Sequence, residues 1–408
     1  MSSTHRAHFV ICGAGITGLA VARSLVAHGA DDVLVLDKED GPGRHASGRN
    51  SGVLHAGIYY APGSLRARAC LEGNRIMRAW CRERGLPLLE PGKVIVAREE
   101  AELPALDALL HRATENGAEP RMLDTRELAE VEPHAKTVER ALFSPFTSQV
   151  DPRAVLARLR DDLAATGRVR FLFSARVTGL KGGRAGRVAE TTAGGVEFRH
   201  FVNAAGAHAD RVAALFGEGR EFVLVPFKGL YKKLRPGREA LCRGSIYPVP
   251  DPRNPFLGVH FTRSVHGDVY LGPTAIPAFG RENYGLLRGV DAEAPAILAR
   301  DARLFFSNPG FRRVALTEPR KYFFRAFFND AKKLVQGLEE RDVLPSPKAG
   351  IRPQLVHRET GELVMDFVLR GGEDHTHVLN AISPAFTSAF SFAEIVTGKI
   401  LDSAGQSG

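Results

Sequence analysis

The chain has 408 residues, of which 44% are hydrophobic and 25% are charged, so a large apolar core can form and a disordered or fibrous protein is excluded. The formal charge is +9, but no block of five or more like charges occurs, which argues against nucleic-acid binding and leaves contact with an anionic membrane open. The four cysteines lack metal-ligand spacing and suit a reducing cytoplasm. We expect two or three domains and no metal site.

The first predicted elements are a strand, a glycine turn, a helix and a second strand that ends in an acid. Residues 9–12 and 33–36 are apolar, and Gly13-Ala14-Gly15-Ile16-Thr17-Gly18 follows the first of them. Gly13 permits a tight turn, Gly15 lets backbone approach a pyrophosphate, and Gly18 lets helix and strand pack closely. Asp37 can accept hydrogen bonds from both hydroxyls of an adenosine ribose and would repel a 2′-phosphate. The order predicts a dinucleotide site at the helix N-terminus and disfavours NADP.

A second loop, rich in glycine and small polar residues, follows over residues 41–60. From Ser47 it reads Ser-Gly-Arg-Asn-Ser-Gly-Val-Leu-His-Ala-Gly-Ile-Tyr-Tyr. This run resembles the flavoprotein family that includes D-amino-acid oxidase, glycine oxidase and glycerol-3-phosphate dehydrogenase. Within that family it is most similar to the L-2-hydroxyglutarate dehydrogenases and oxidases. The resemblance implies FAD as the cofactor, with this loop along its diphosphate, ribityl chain and isoalloxazine.

Further along the chain, helical and strand patterns alternate. Helices are predicted over 64–84, 100–116 and 125–131, from Pro152 with Asp151 as N-cap, over much of 292–342, and from Pro384 with Ser383 as N-cap. Strands are predicted over 94–97, 141–143, 169–177 and 198–203, and residues 222–275 have the period-two pattern of an antiparallel sheet.

Two more segments extend the resemblance. Residues 201–206, Phe-Val-Asn-Ala-Ala-Gly, are similar to the strand that returns past the cofactor in the family, and residues 247–252, 256–261 and 272–275 look like the L-2-hydroxyglutarate enzymes rather than the amine oxidases. The resemblance implies an α/β fold in which a Rossmann-like FAD-binding domain is interleaved with an antiparallel-sheet substrate domain of α+β type. The expected FAD-binding domain comprises residues 1–90, 140–220 and 345–408, and the expected substrate domain comprises residues 91–139 and 221–344.

The resemblance also implies a cofactor site built from all of these segments. The expected FAD-binding residues are Gly13, Gly15, Ile16, Thr17, Gly18, Asp37, Lys38, Ala46, Ser47, Asn50, Ser51, Gly52, Val177, Ala205, Gly206, Gly350, Pro384, Ala385, Phe386 and Thr387. The N-terminus of the last helix would point at the flavin pyrimidine, where its dipole favours the anionic reduced flavin.

The reaction that the resemblance implies is oxidation of (S)-2-hydroxyglutarate to 2-oxoglutarate by hydride transfer to flavin N5. The electrons would then pass to a quinone or to oxygen. The chemistry needs a base for the proton of the C2 hydroxyl, and a histidine suits this because its ordinary pKa is close to the working pH. We expect His260 to be the base, with His55 as the alternative.

The two carboxylates of such a substrate need cationic or polar partners. Arg352 is expected to bind the C1 carboxylate, because its guanidinium offers a bidentate fork and a Gly-x-Arg segment serves this purpose in related oxidases. Lys228 is the candidate for the distal carboxylate. Tyr247 is expected to hold the substrate by its hydroxyl, and Tyr59 is a further candidate for substrate contact.

Two other function classes stay open at this point. One is an FAD-dependent oxidase of an amino acid or of another 2-hydroxy acid, since one fold supports several reactions. The other is a non-catalytic, basic flavoprotein that binds membranes. Residues 320–328, Arg-Lys-Tyr-Phe-Phe-Arg-Ala-Phe-Phe, are predicted to pack in the core, and the alternative is a patch on an anionic membrane, where a quinone collects electrons. The expected location is the cytoplasm, with possible peripheral contact at the inner face of the cell membrane.

Overall fold

The computed structural model of the chain describes residues 4–183, 186–251 and 257–405 and divides the chain into two compact units. Unit 1 comprises residues 1–49, 152–225 and 353–408, and unit 2 comprises residues 50–151 and 226–352. None of the described helices is both long and apolar enough to cross a membrane.

The helices and strands within the described ranges follow in chain order. The helices are α1 (Ile16–Ala27), α2 (Ala46–Arg49), α3 (Leu65–Glu83), α4 (Leu103–Glu115), α5 (Thr125–Val131), α6 (Pro152–Ala165), α7 (Ala209–Leu215), α8 (Ala294–Ser307), α9 (Pro309–Thr317), α10 (Phe324–Lys332) and α11 (Ala385–Gly405). The strands are β1 (Thr4–Cys12), β2 (Val33–Leu36), β3 (Val53–Leu54), β4 (Leu88–Leu89), β5 (Lys93–Val96), β6 (Arg121–Asp124), β7 (Arg140–Ser144), β8 (Ser148–Val150), β9 (Val169–Leu172), β10 (Val177–Gly183), β11 (Gly186–Thr191), β12 (Gly194–Asn203), β13 (Phe222–Leu234), β14 (Ser245–Pro248), β15 (His260–Arg263), β16 (Val269–Gly272), β17 (Ile276–Pro277), β18 (Val343–His357), β19 (Val368–Gly372) and β20 (His375–Asn380).

Unit 1 is built on a sheet whose central strands are parallel. Its order is β10-β11-β12-β1-β2-β9, and β20 adds to β12 in parallel and carries β19 on its other side. The middle strands are nearly continuous apolar runs because both faces are covered, and Val10, Leu34, Val196 and Phe201 lie in one buried cluster. Parallel β1 and β2 therefore end at the same edge, which brings Cys12 beside Leu36 and puts the glycine turn there.

Unit 2 is built on a mixed sheet in the order β17-β13-β16-β15-β14-β5-β7-β6, with β18 beside β13. Most neighbouring pairs are antiparallel, but β14 and β5 run parallel and join the two halves of the unit. One face of the sheet packs against α10 through Phe327 and Phe328. Another buried cluster packs Ile95 and Leu142 against Leu106 and Leu109 of α4, so the middle of the sheet is enclosed by apolar side chains.

The predicted division of the chain differs from the observed units mainly around the small sheet of unit 2, with shorter shifts at residues 221–225, which lie in unit 1, and at residues 345–352, which lie in unit 2. Residues 50–90 and 140–151 lie in unit 2, whereas the sequence placed them in the FAD-binding domain. The reason is local pairing, because β3 and β4 both pair with β8 in a small antiparallel sheet of unit 2. Which unit carries the cofactor and which the substrate remains a prediction.

Most predicted elements are present, several with shifted ends, and two of the differences have a particular bearing on the site. The expected strand over 169–177 is two strands, because Ser174 has a positive φ of 55° and its N–H bonds to the Glu39 carbonyl, which turns the chain. The last helix begins at Ala385 rather than at Pro384. The motif residues Pro252 and Phe256 lie outside the described residues.

The phenylalanine-rich segment confirms core packing for only part of its length. Phe327 and Phe328 of α10 are buried, and Phe324 packs partly against the same cluster. Phe323 precedes the helix as its N-cap and is 74% exposed, so the prediction that residues 320–328 pack in the core is wrong for Phe323.

Candidate active site

The glycine turn after β1 is closed by approaches that only glycine permits. Gly13 has a φ of +117°, and a Cβ there would lie 2.4 Å from the Ala204 carbonyl oxygen. A Cβ on Gly18 would lie 1.9 Å from the Gly13 carbonyl oxygen. Both distances are far below van der Waals contact, so these two glycines let β1, α1 and the strand end at Ala204 approach one another.

The N-terminus of α1 is the part of the turn that fits an anion. Gly15 is the N-cap and provides no side-chain cap, and the first helical N–H, from Ile16, donates to Ser47 Oγ over 3.0 Å. A Cβ on Gly15 would meet only the Ser47 side chain, with Oγ at 3.0 Å. Ser47 therefore lies directly at the helix end, where N–H groups and the helix dipole favour a phosphate.

Asp37 follows β2 and is held by two backbone N–H groups. Its Oδ2 accepts from Ala14 N–H over 2.7 Å, and its Oδ1 accepts from Glu39 N–H over 2.9 Å. Burial raises the pKa of the Asp37 carboxyl, while those two hydrogen bonds act in the opposite direction. Each carboxylate oxygen keeps a second lone pair, so Asp37 can still accept hydrogen bonds from a ribose.

The remaining predicted cofactor residues divide between the two units. Lys38 lies beside Asp37 and contacts Glu39 and His45. The Ala205 N–H donates to Asn203 Oδ1, which shapes the loop after β12. The unit 1 members are Gly13, Gly15, Ile16, Thr17, Gly18, Asp37, Lys38, Ala46, Ser47, Val177, Ala205, Gly206, Pro384, Ala385, Phe386 and Thr387. The unit 2 members are Asn50, Ser51, Gly52 and Gly350.

In unit 2, the loop over residues 53–60 carries three of the polar side chains of interest and is fixed by side chains from two helices. The Asn74 amide of α3 donates to the Leu54 and Phe146 carbonyls over 3.2 and 3.1 Å. The Asn116 amide after α4 donates to the Gly57 and Tyr60 carbonyls over 3.0 and 2.9 Å. The backbone that presents His55, Tyr59 and Tyr60 is therefore anchored on both sides.

His260 lies at the start of β15 and is 5% exposed. Its Nδ1 is 2.8 Å from the Gly258 carbonyl oxygen, which can only accept, so Nδ1 carries the proton and Nε2 has a free lone pair. Burial lowers the pKa of His260 to about 3, and the charges of Lys93 and Lys321 lower it further, against the Gly258 hydrogen bond. The imidazole is therefore neutral at pH 7 and able to accept a proton at Nε2.

His55 is half-buried and lies close to the same groups. Burial lowers its pKa well below the ordinary value, and the positive charges of Lys93 and Arg66 and the neighbouring His260 act in the same direction. The Cys70 thiol of α3 lies 3.4 Å from the His55 carbonyl oxygen and fixes its backbone. The structure thus brings His55 and His260, both neutral, into one cluster.

Lys93 is the central residue that the sequence did not single out. It begins β5, its side chain is 1% exposed, and its Nζ has no hydrogen-bond acceptor among the described residues. The nearest groups are the rings of Tyr59 and Tyr247, whose centroids lie 4.4 and 4.9 Å from Nζ. Burial lowers the pKa of this ammonium to about 7. A lysine within an apolar strand is ordinarily interpreted as facing solvent, so only the structure identifies Lys93 as a buried residue of this cluster.

Arg352 and Arg66 provide two more cations in unit 2. Burial lowers the pKa of Arg352 to about 10, and the Arg66 charge adds to this, so Arg352 remains protonated at neutral pH. The Arg66 guanidinium lies 4.4 Å from the centroid of the Tyr60 ring. Two guanidinium groups that repel each other can be held together at least cost when an anion binds to both.

Lys228 differs from Lys93 because its ammonium already has protein acceptors. Its Nζ donates to Asn283 Oδ1 over 2.9 Å and to the Gly285 carbonyl over 2.7 Å. One of its three protons is left for another acceptor. Its assignment to the distal carboxylate stays a prediction, and a structural role in fixing the 283–285 turn is evident.

Comparisons with known proteins show the family to which the chain belongs. Residues 8–398 match the model of the family described as FAD dependent oxidoreductase. The chain is 37% identical to the mitochondrial L-2-hydroxyglutarate dehydrogenase of Nematostella vectensis, over 95% of this chain and 89% of that protein. It is 36% identical to the L-2-hydroxyglutarate dehydrogenase of Indibacter alkaliphilus (95% and 97% covered) and 35% identical to that of Escherichia coli K12 (96% and 92%).

Solved structures with the same fold are more distant in sequence. The L-alpha-glycerophosphate oxidase of Mycoplasma pneumoniae with FAD bound superposes with a TM-score of 0.75 at 22% identity, covering 98% of this chain and 95% of that one. The glycine oxidase of Geobacillus kaustophilus gives a TM-score of 0.71 at 19% identity, with 98% and 95% covered. At these identities the likeness establishes the fold alone, and the predicted α/β fold class is confirmed.

Proposed function

Because the chain belongs to the FAD dependent oxidoreductase family and, within it, to the L-2-hydroxyglutarate dehydrogenases, we propose that it oxidises (S)-2-hydroxyglutarate to 2-oxoglutarate. The resemblance drawn from the sequence motifs is thereby confirmed at the level of the family. The observation that supports this choice of substrate is the 35–37% identity to L-2-hydroxyglutarate dehydrogenases over nearly the whole chain.

FAD is the cofactor, and the glycine turn of unit 1 fits it. Gly13 and Gly18 have no room for a side chain. The N-terminus of α1 receives its side-chain hydrogen bond from Ser47, because the N-cap residue Gly15 has no side chain. Asp37 can still accept hydrogen bonds from a ribose. When bound, FAD accepts the two electrons that leave the substrate with the C2 hydrogen. The remaining chemistry is to bind the dianion and to remove the proton of its hydroxyl.

We assign to Nε2 of His260 the role of accepting the proton of the C2 hydroxyl. The Gly258 carbonyl fixes the tautomer that leaves this nitrogen free, and the lowered pKa keeps the ring neutral at working pH. Binding of an anion next to the ring would raise its pKa and so improve it as a base. His55 remains the alternative, since its pKa is lowered by the same causes.

Arg352 is proposed to bind the C1 carboxylate. Its guanidinium stays charged despite burial, and the nearby Arg66 adds a second positive charge that a carboxylate would neutralise. A bidentate Arg–carboxylate pair also fixes the orientation of the substrate carbon that is oxidised. Tyr247 and Tyr59 are proposed to line this site, because their rings lie close to the buried Lys93.

The proposed function is tested by mixing the purified flavoprotein with (S)-2-hydroxyglutarate under anaerobic conditions. The absorbance of oxidised flavin should fall with the S enantiomer and stay constant with the R enantiomer. L-Glutamate serves as the amino-acid control, because an amine oxidase of the same fold would be reduced by the amino acid instead. Reduction by glutamate alone would replace the proposed function with that second one.

The electron acceptor is proposed to be a quinone or oxygen, with the protein at a membrane surface in the first case. Residues 279–325 contain nine Arg or Lys against five Asp or Glu, so this segment is basic. Its apolar side chains include five that are strongly exposed: Leu286, Leu287, Phe306, Leu316 and Phe323. Exposed apolar groups among cations are typical of a surface that binds anionic lipid.

A further inference from the structure

Lys93 occupies a position that is unfavourable for an ammonium group. It lies in β5, in the middle of the unit 2 sheet, between β14 and β7. Removing a lysine from water costs several kcal/mol unless a carboxylate or several acceptors replace the lost hydration. Here the side chain is 1% exposed and Nζ has no acceptor in the part of the chain that the structure describes.

Two aromatic faces offset part of this cost. The rings of Tyr59 and Tyr247 lie 4.4 and 4.9 Å from Nζ, within the range of cation–π attraction. Such contacts leave all three N–H groups without acceptors. No aspartate or glutamate of the described residues forms an ion pair with Lys93.

The charged and titratable groups around Lys93 do not supply the negative charge that would compensate its ammonium. Its positive charge lowers the pKa of both His55 and His260, which places the ammonium close to the two candidate bases. The other titratable neighbours are the Cys70 thiol, whose pKa is raised to about 12, and the Tyr59 and Tyr247 hydroxyls, whose pKa values burial also raises. All of these are neutral at pH 7, so no group among the described residues compensates the ammonium.

We propose that the Lys93 ammonium binds one of the two carboxylates of the substrate. This inference rests on the function proposed above and deepens it. A dicarboxylate needs two cations, and Arg352 accounts for one of them. Lys228 was the expected second cation, but it already donates to Asn283 and Gly285, whereas Lys93 has three unused donors.

The binding should be coupled to a proton. With a pKa of about 7, Lys93 is only partly protonated in the ligand-free enzyme at neutral pH. A bound carboxylate favours the ammonium form, so binding takes up a proton when the pH is above 7. The KM of the wild type should accordingly rise above pH 7, by up to about tenfold per pH unit.

Lys93→Met tests the proposal because it keeps the length and apolar contacts of the side chain. KM for (S)-2-hydroxyglutarate with a dye acceptor should rise about 10- to 100-fold, the usual loss for a charge-assisted hydrogen bond, while kcat changes less. The matched control is Lys232→Met, which removes a half-buried lysine that lies 5.4 and 5.3 Å from the rings of Phe324 and Phe327. The control should keep the wild-type KM.

A shorter substrate identifies which carboxylate is bound. (S)-2-hydroxybutyrate has the same C1 and C2 but lacks the distal carboxylate. If Lys93 binds the distal group, Lys93→Met raises KM for 2-hydroxyglutarate and leaves KM for 2-hydroxybutyrate unchanged. If it binds C1, both values rise by the same factor. An unchanged KM for 2-hydroxyglutarate, or a loss confined to kcat, overturns the proposal.

A thermal-shift measurement tests binding without turnover. Glutarate, which has both carboxylates and no hydroxyl, should raise the Tm of wild type and of Lys232→Met but not that of Lys93→Met. The ligand-free Lys93→Met protein should melt at or above the wild-type temperature, since an uncompensated charge has been removed from the core.

If wild type binds glutarate through Lys93 but fails to oxidise 2-hydroxyglutarate, the proposed function fails and the carboxylate site stands. Should Lys93→Met not fold, Lys93→Gln makes the same test, and a Tm that glutarate raises as much as in wild type overturns the proposal.

Discussion

The imidazole of His260 lies against the phenol ring of Tyr247, with the two ring centroids 3.8 Å apart and their planes 22° from parallel. The same phenol ring has the Lys93 ammonium 4.9 Å from its centroid. Tyr247 is fully buried on β14, directly beside the strand that carries Lys93. One aromatic side chain therefore fixes the position of both a candidate base and a candidate carboxylate ligand.

Removing the Tyr247 ring should thus impair both functions together. We expect Tyr247→Leu to lower kcat/KM by about 100-fold, because a misplaced base and a misplaced cation each reduce transition-state binding. Tyr247→Phe keeps the stacking face and should stay within about threefold of wild type if the ring is what matters. Steady-state kinetics on both variants provides the measurement. Equal losses in the two variants would instead assign the role to the hydroxyl.

The two histidines can be separated by single substitutions to asparagine. His260→Asn should lower the rate of flavin reduction by about 10²–10⁴, the usual contribution of a general base, with FAD content unchanged. His55→Asn should have a smaller effect. Stopped-flow reduction under anaerobic conditions measures both rates, and the reverse order of effects would exchange the two roles.

The lowered histidine pKa has a consequence for the pH profile. The base must be neutral, and a pKa of about 3 keeps His260 neutral throughout the range in which an ordinary histidine would become protonated. The kcat/KM of wild type should therefore show no acidic decline between pH 7 and 5 from this group. A decline centred near pH 6.5 would indicate a base with an ordinary histidine pKa.

The glycine turn predicts a sharp contrast between two Gly→Ala substitutions. Gly18→Ala places a Cβ 1.9 Å from the Gly13 carbonyl oxygen, so it should destabilise the fold by about 1–3 kcal/mol and reduce FAD retention. Gly398→Ala in α11 is the matched control, since a Cβ there meets no atom within 4 Å. It should stabilise the protein by about 0.5–1 kcal/mol through helix propensity. Urea unfolding and the flavin-to-protein absorbance ratio test both expectations.

Acid should destabilise unit 1 through two buried histidines. Burial lowers the pKa of His200 to about 4 and that of His377 to about 3, whereas in the unfolded chain both titrate near 6.5. Between these values the unfolded state binds more protons, so stability falls as the pH falls below 6.5, by up to about 1.4 kcal/mol per pH unit for each group. His377→Gln should reduce that slope in urea titrations at pH 7 and pH 5. An unchanged slope would show that other groups control the acid response.

The membrane proposal predicts that exposed leucines matter more than buried phenylalanines. Leu286→Ser with Leu287→Ser should leave Tm nearly unchanged, because both side chains are more than 75% exposed, but should lower flotation with anionic liposomes and quinone-dependent turnover. Leu215→Ser with Leu401→Ser replaces two exposed leucines outside this segment and serves as the control. Phe327→Ser should instead destabilise the protein by about 3–5 kcal/mol. Liposome binding equal to wild type in the first variant would contradict contact through this segment.

How much of the site can be predicted from sequence depends on how local its signal is. The glycine turn and Asp37 form a contiguous pattern with a physical reason for each residue, and the structure shows the close approaches that those reasons require. His260 and Tyr247 are found through resemblance, but their stacking is a contact between neighbouring strands that no spacing encodes. The Ser174 turn was missed because a serine with positive φ leaves no composition signal.

Lys93 is a residue whose surroundings cannot be predicted from the local sequence. Period-two patterns assign alternate faces of a strand, and a lysine at the start of an apolar strand is ordinarily read as exposed. Whether its ammonium is in water or between two tyrosine rings depends on the loop over residues 53–60, which is distant in sequence. Similarly, Lys228 has the right residue type for an anion ligand, and only its contacts with Asn283 and Gly285 reveal that it also fixes a turn.

The amide anchors of the loop over residues 53–60 suggest how this enzyme can be re-engineered. Asn74 and Asn116 bind backbone carbonyls and not side chains, so the course of the loop does not depend on which side chains it displays. With Tyr59 proposed to line the substrate site, we expect a library that varies Tyr59 but preserves both asparagines to sample new substrate shapes on an unchanged support. Changing either asparagine should instead disturb the backbone of the loop itself, and with it every side chain that the loop displays.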